Sequence, residues 1–395
     1  MAEQLPLKSF FEEGSIFMSK QLPHPQDETQ GVPVSPVEHE SVSQAAIERD
    51  VEERLRRIKR RRVRKPARNL IVTALSIVVM VVLLVGGIIL SQPPASATST
   101  TTSGTSNQSV ATVAVPPHQT YNAQAPATPQ GNTVNVTLTV KELLVSIAPG
   151  VAYHAWTFNG TVPGPVLRVR QGQLVHFTLV NDGSMPHSID FHAAQTPWSV
   201  NYQPVAPGKS FSFTWRANYP GVFMYHCGAP VTIYHMVNGM YGAIIVDPAS
   251  GWTPAQEFVL VQSEFYTSQL PDGTYTVDAN KLNAGIPDYV VFNGYANQYK
   301  ESPLVAKAGQ RIRLFIVNAG PTLFSAFHVI GAIFSDTYVD GNPANHMVGN
   351  QTVMVPPGGG VAVELTVPEA GLYPFVTHSF VDVGKGAIGM LKVTS

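Results

Sequence analysis

The stretch FMYHCGAPVTIYHMVNGM, Phe223 to Met240, holds the only cysteine of the chain, with His226 beside Cys227 and His235 and Met240 downstream. One cysteine excludes an internal disulfide. Upstream, GSMPHSIDFH, Gly183 to His192, adds His187, Asp190 and His192. Side chains alternate along a regular strand, so His187 and His192, five positions apart, face opposite sides, and Asp190 shares the side of His192. His226 and Cys227, being neighbours, diverge in the same way.

Pairing the two segments gives two ligand sets. His187, Cys227 and His235 with the thioether of Met240 form the His₂Cys-plus-Met set of a blue copper centre, which suits a metal cycling between Cu(I) and Cu(II). A structural zinc site usually brings more cysteines and gains nothing from methionine. His192 and His226, with Asp190 beside them, form a second and incomplete set for which His378 is the candidate third ligand. Adjacent ligands to two coppers give electrons a short covalent path. For any single histidine here a satisfied polar residue is the plainer reading. The ordered series H-x₄-H, HC, H-x₄-M is what argues against coincidence.

The elements that position these residues read as strands. From Gly131 onward NTVNVTLTVKEL, VLRVRQGQLVHFTLVN and KSFSFTWRA alternate polar and apolar residues with a period of two. No long helical period competes, so an all-β architecture of sandwiches is expected. The two halves echo each other: VAPGKSFSFTWRANYPGVFMYHC matches VPPGGGVAVELTVPEAGLYPFVTHS, with Pro207 and Gly221, and Pro357 and Gly371, the same fourteen steps apart. FNGTVPGPVLRVRQGQLVHFTLVND likewise matches FNGYANQYKESPLVAKAGQRIRLFIVNAG. The copies differ where chemistry would sit, His226-Cys227 in the first and Thr377-His378 in the second.

The rest of the 395 residues set topology. A net charge of -1 gives no reason to expect a nucleic-acid partner. Residues 1–68 are expected to form a disordered cytoplasmic tail ending in the basic run ERLRRIKRRRVRKPAR, Glu53 to Arg68. Residues 69–90, uncharged from Leu70 to Leu90, are long enough to cross a hydrocarbon core of ~30 Å as one transmembrane helix. The basic flank predicts a single-pass cell-membrane protein with everything after Leu90 extracytoplasmic. Residues 91–130 read as a Ser/Thr/Pro-rich linker, followed by β domains at 131–250 and 251–395.

Residues 131–395 resemble the copper-containing, nitric-oxide-forming nitrite reductases, on SMPHSIDFH, on YHC with its downstream H and M, and on FHVIG and VTHSF. The resemblance implies tandem cupredoxin-like Greek-key sandwiches assembled as a homotrimer. It implies one type 1 copper on His187, Cys227, His235 and Met240. A type 2 copper, on His192 and His226 of one subunit and His378 of the next, would bind nitrite. Met240 is preferred to Met236 because its spacing from His235 matches the family. Asp190 and His328 are implied as the acid pair, Ile330 as the apolar residue over the substrate, and Thr352 as a residue orienting His328. The electron donor would be a cupredoxin or a cytochrome c. His154, His176 and His346 lack partners at metal spacing and read as structural, while His24, His39 and His118 fall in the tail or linker.

Two rival readings are a membrane-tethered cupredoxin electron carrier without catalysis and a two-domain multicopper oxidase. The carrier would leave Asp190, His192, His226, His328 and His378 without a role. The oxidase needs a trinuclear cluster fed by His-x-His pairs, and this chain has none.

Overall fold

The computed structural model describes residues 113–395. The expected tail, the 69–90 membrane helix and the linker up to residue 112 lie outside the described residues, among which no helix is long and apolar enough to cross a membrane.

The first sandwich sets a sheet of β1 (Thr133–Ala148), β2 (Val151–Phe158), β4 (Leu174–Asn181) and β6 (Ser210–Arg216) against one of β3 (Leu167–Arg170), β5 (Asp190–Phe191), β7 (Gly221–His226) and β8 (Tyr241–Asp247). The second sets β9 (Gln256–Phe265), β12 (Tyr289–Phe292), β14 (Arg311–Asn318), β16 (Phe334–Val339), β17 (His346–Asn350) and β19 (Gly360–Thr366) against β13 (Leu304–Lys307), β15 (Ser325–Val329), β18 (Thr352–Val355), β20 (Gly371–Thr377) and β21 (Ile388–Thr394). A hairpin of β10 (Thr267–Gln269) and β11 (Tyr275–Val277) crosses back, and β11 adds to the edge of β2. Helices are short: α1 (Trp198–Asn201), α2 (Thr232–Val237), α3 (Ala279–Ala284) and α4 (Gln298–Glu301).

Burial follows the sequence pattern where one face of a strand meets solvent. In β4, Val175, Phe177 and Leu179 are buried and His176 between them is exposed. Where both faces are covered the period vanishes: every residue of β8 is buried, and every residue of β14 after Arg311. Phe177, Phe191, Tyr225 and Cys227 belong to the core inside the first sandwich. Val222, Met224 and Ile245 meet Val259, Phe315 and Val317 in a separate core between the sandwiches. Leu314, Phe327 and Phe375 fill the core of the second. These three cores separate four sheets in successive layers.

A buried ion network crosses the boundary between the sandwiches. Arg168 bonds Asp247 at 2.9 Å and Glu257 at 2.6 Å, while Arg313, with no exposed side-chain surface, bonds Glu257 at 2.5 Å and Glu364 at 2.6 Å. The described end of the expected linker, residues 113–130, is also part of this body. Ala123 is buried, its carbonyl accepts from Val259 N–H at 2.7 Å, and Tyr121 N–H donates to Gln298 Oε1 at 2.9 Å.

The repeat holds at the strands that lead into the ligand segment. β6 and β19 begin three residues after Pro207 and Pro357, and β7 and β20 begin at Gly221 and Gly371. At that offset Thr377 takes the place of Cys227. Its buried hydroxyl accepts from Ala326 N–H at 3.0 Å, as the Cys227 sulfur accepts from Ser188 N–H at 3.2 Å. One copy keeps a soft thiol at this position and the other a hydroxyl.

Candidate metal centres

His187, Cys227 and His235 converge inside the first sandwich, all buried. The His187 and His235 Nδ1 atoms are 3.1 Å apart, and the Cys227 sulfur lies 3.9 Å and 3.3 Å from them. His187 turns Nε2 toward Glu142 Oε1 at 3.4 Å, so its proton belongs on Nε2 and the Nδ1 lone pair faces the cluster. The ligand loop is closed by its own backbone. Met240 N–H donates to the His235 carbonyl at 3.1 Å, and Cys227 N–H donates to the Met240 carbonyl at 3.0 Å. Gly239, at φ 114°, lets the chain pass Val162, whose Cγ2 would lie 2.6 Å from any Cβ there. α2 carries His235 and Met236. Met240 is fully buried in the core that holds Cys227, whereas Met236 packs on the core between the sandwiches. The Trp156 indole covers the imidazoles, its ring centre 4.9 Å from His235 and 5.7 Å from His187.

Burial pushes the Cys227 thiol up to about 11 and His235 down to about 4, the latter helped by His187 beside it. A buried pocket presenting imidazole lone pairs and a thiol to one point gains from a cation that takes the sulfur as thiolate. Two nitrogens, one sulfur and a thioether in the same core fit copper.

Asp190, His192 and His226 form the second cluster, on the opposite side of the same strands. The parity argument succeeds although β5 is only Asp190–Phe191, because β5 pairs with β7 and sets Asp190 opposite His226. His226 Nδ1 lies 2.9 Å from the Cys227 carbonyl and His192 Nδ1 lies 3.1 Å from the Gly358 carbonyl. A carbonyl only accepts, so both Nδ1 atoms carry the proton. Both Nε2 lone pairs then face each other across 3.2 Å, with an Asp190 oxygen 3.8 Å from His226 Nε2. Facing lone pairs repel unless a proton or cation lies between them, so this donor set also fits a metal.

His378 is not in that cluster. It sits on the second sandwich beside His328, ring centres 5.5 Å apart, and is exposed. His328 donates from Nδ1 to the Gln351 carbonyl at 2.5 Å, which leaves Nε2 open. Thr352, expected to orient that ring, is its ladder partner, and the ring donates instead to the carbonyl of the preceding residue. Ile330 is 40% exposed and lies one residue past the end of β15, two residues after His328. The histidines read as structural have ordinary partners: His154 with Thr274, His176 with Thr214, and His346 with Asp336. His118 stacks on Tyr295 at 3.5 Å. Glu142, Trp156, Gln351 and Gly358 escaped sequence reasoning because none has metal-ligand spacing to the histidine it touches.

Tandem β-sandwiches with a buried His₂Cys pocket define a copper protein of the cupredoxin class. A family model described as multicopper oxidase matches residues 139–251, within the first sandwich. A copper-containing nitrite reductase of Neisseria meningitidis is 40% identical over 269 residues, covering 66% of this chain and 68% of that protein. One from Alcaligenes xylosoxydans xylosoxydans is 30% identical over 299 residues, covering 69% and 88%. The solved copper nitrite reductase from Nitrosomonas europaea superposes with a TM-score of 0.63 at 38% identity, covering 67% of this chain and 94% of that one. The chain belongs to the copper-containing nitrite reductases, a family of oxidoreductases.

Proposed function

We propose that this chain reduces nitrite to nitric oxide and water, taking up one electron and two protons per turnover, with one type 1 and one type 2 copper per subunit. His187, Cys227, His235 and Met240 hold the first. His192 and His226, with His378 of the partner subunit, hold the second. The observation that carries this reading is that His226 and Cys227, adjacent in the chain, deliver their side chains to two separate ligand clusters. When bound there, copper would supply electron acceptance at the buried cluster and Lewis-acid anion binding at the second.

The protein residues handle protons and position. Asp190 stands at the edge of the second cluster, close enough to act on a bound anion. His328, held by Gln351, presents Nε2 as the second proton carrier. Ile330 beside it would exclude water from the substrate. The set is split between the sandwiches, with Asp190, His192 and His226 on the first and His328, Ile330 and His378 on the second. The exposed Ile330, Met354, Phe380 and Val381 on the His378 side suit burial against another subunit. We therefore read the second site as completed in a homotrimer. The uncharged 69–90 run makes membrane anchoring, with the domains at 131–250 and 251–395 outside, the matching proposal for localisation. A cupredoxin or cytochrome c is the proposed donor. With Cys227 fully buried, its electron enters through the pocket wall.

Complementation tests the shared site. Chains with His192→Ala and chains with His378→Ala are each expected to be inactive, and their co-expressed mixture to recover nitric oxide production. A mixture as dead as its components would remove the intersubunit site.

A further inference from the structure

The second sandwich grips a ligand of the first. His192 is exposed, so packing does not fix its ring; its Nδ1 donates to the Gly358 carbonyl, and its Nε2 stands 3.2 Å from His226 Nε2. Gly358 lies in the turn between β18 and β19 with φ 76°, where a Cβ would stand 3.3 Å from His192 Cε1 and 3.9 Å from Nδ1. Both the backbone conformation and the closeness of the ring call for glycine.

The same turn occurs in the first sandwich. Gly208 has φ 70°, and its N–H donates to the Asn181 carbonyl at 2.8 Å, as Gly358 N–H donates to the Asn318 carbonyl at 2.8 Å. Asn181 N–H bonds the Lys209 carbonyl at 2.9 Å, and Asn318 N–H bonds the Gly359 carbonyl at 3.0 Å. Each asparagine side chain then donates to two loop carbonyls: Asn181 to Met185 and Val205, Asn318 to Leu323 and Val355. Yet a Cβ on Gly208 would meet nothing within 4 Å. The contact with His192 is therefore not required by the turn itself. The turn is seated on β7: a Cβ on Gly360 would stand 2.1 Å from the Val222 carbonyl, and Val222 N–H donates to the Asp340 carbonyl at 2.7 Å.

We infer that the Gly358 carbonyl is a positioning element of the second copper site, holding His192 in the Nδ1–H form so that Nε2 faces His226, and that the packing of the sandwiches thereby sets ligand geometry. This rests on the reading of His192 as a copper ligand. Loss of an outer hydrogen-bonding partner of a ligating histidine typically costs about 10–100-fold in metal affinity or activity.

The test compares Gly358→Ala with Gly208→Ala in the full chain. Both carry the same left-handed strain, and only the first touches the ring. Gly208→Ala is expected to keep both coppers and an unchanged type 2 EPR signal. Gly358→Ala is expected to keep the Cys227 charge-transfer colour, to hold the second copper about 10–100-fold more weakly, and to change that signal. If the two variants match in copper content and EPR, the inference fails while His192→Ala still loses the second copper. If His192→Ala keeps that copper, the underlying site reading fails instead. Should Gly358→Ala not fold, the ¹⁵N ring spectrum of the fully reduced wild-type holoenzyme decides. A proton on His192 Nδ1 is expected, and a bare Nδ1 overturns the inference.

Discussion

His226 and Cys227 share one peptide bond and serve two clusters, and the His226 ring donates from Nδ1 to the Cys227 carbonyl at 2.9 Å. A second path between the sites thus runs through a hydrogen bond beside the covalent one. Cys227→Ser is expected to abolish the intense charge-transfer absorption and lower the copper count from two to one per chain. His226→Ala should do the reverse, keeping the colour and losing the other copper. Metal analysis with an absorption spectrum checks both, and colour surviving in Cys227→Ser would remove the thiolate from the site.

Met240 and Met236 separate cleanly because they enter different cores. Met240→Leu, nearly volume-conserving, should cost less than about 1.5 kcal/mol of stability while shifting the absorption bands and potential of the first site. Met240→Ala should cost about 2–5 kcal/mol. Met236→Leu should leave the spectrum as it was; a spectral change there and none at Met240 would exchange their roles.

Asp190→Asn and His328→Gln each remove one proposed proton carrier without removing a proposed copper ligand. Steady-state nitric oxide production should fall by ~10²–10⁴-fold in either variant, with copper content unchanged. Copper lost along with activity in Asp190→Asn would make that residue a ligand.

Glu142 reaches the first site from β1, accepting from Ser184 N–H and Oγ at 2.7 Å each and from His187 Nε2 at 3.4 Å. A carboxylate behind a ligating imidazole makes it a stronger donor and favours the more highly charged metal. Glu142→Gln should therefore raise the reduction potential of the first site, by ~59 mV for each tenfold change in relative affinity of the two oxidation states. Potentiometric titration of the charge-transfer band gives the answer; a fall in potential would refute the assignment.

Glu364 is 2% exposed and partners Arg313 at the boundary of the sandwiches. Glu364→Ala leaves that guanidinium short of a partner in the interior, and a loss of about 3–5 kcal/mol is expected by denaturant unfolding. A change below about 1 kcal/mol would mean that water or Glu257 takes over.

The sequence by itself determined the strand period, the repeat and the opposite sides taken by the neighbours His226 and Cys227. These are local properties: alternation along a strand separates His226 from Cys227 whatever the strand packs against. It also carried the family likeness through the H-x₄-H, HC and H-x₄-M spacings. Tertiary structure decided which faces are covered. β8, and β14 after Arg311, are buried on both faces because a second sandwich lies over them, and no window of sequence reports a partner that far away. It also separated Met240 from Met236, bound residues 113–130 to the globular body, and brought Glu142 to His187 and Gly358 to His192. Each of those pairs meets only after two sheets have stacked, so their meeting is a consequence of long-range packing and leaves no mark in local spacing.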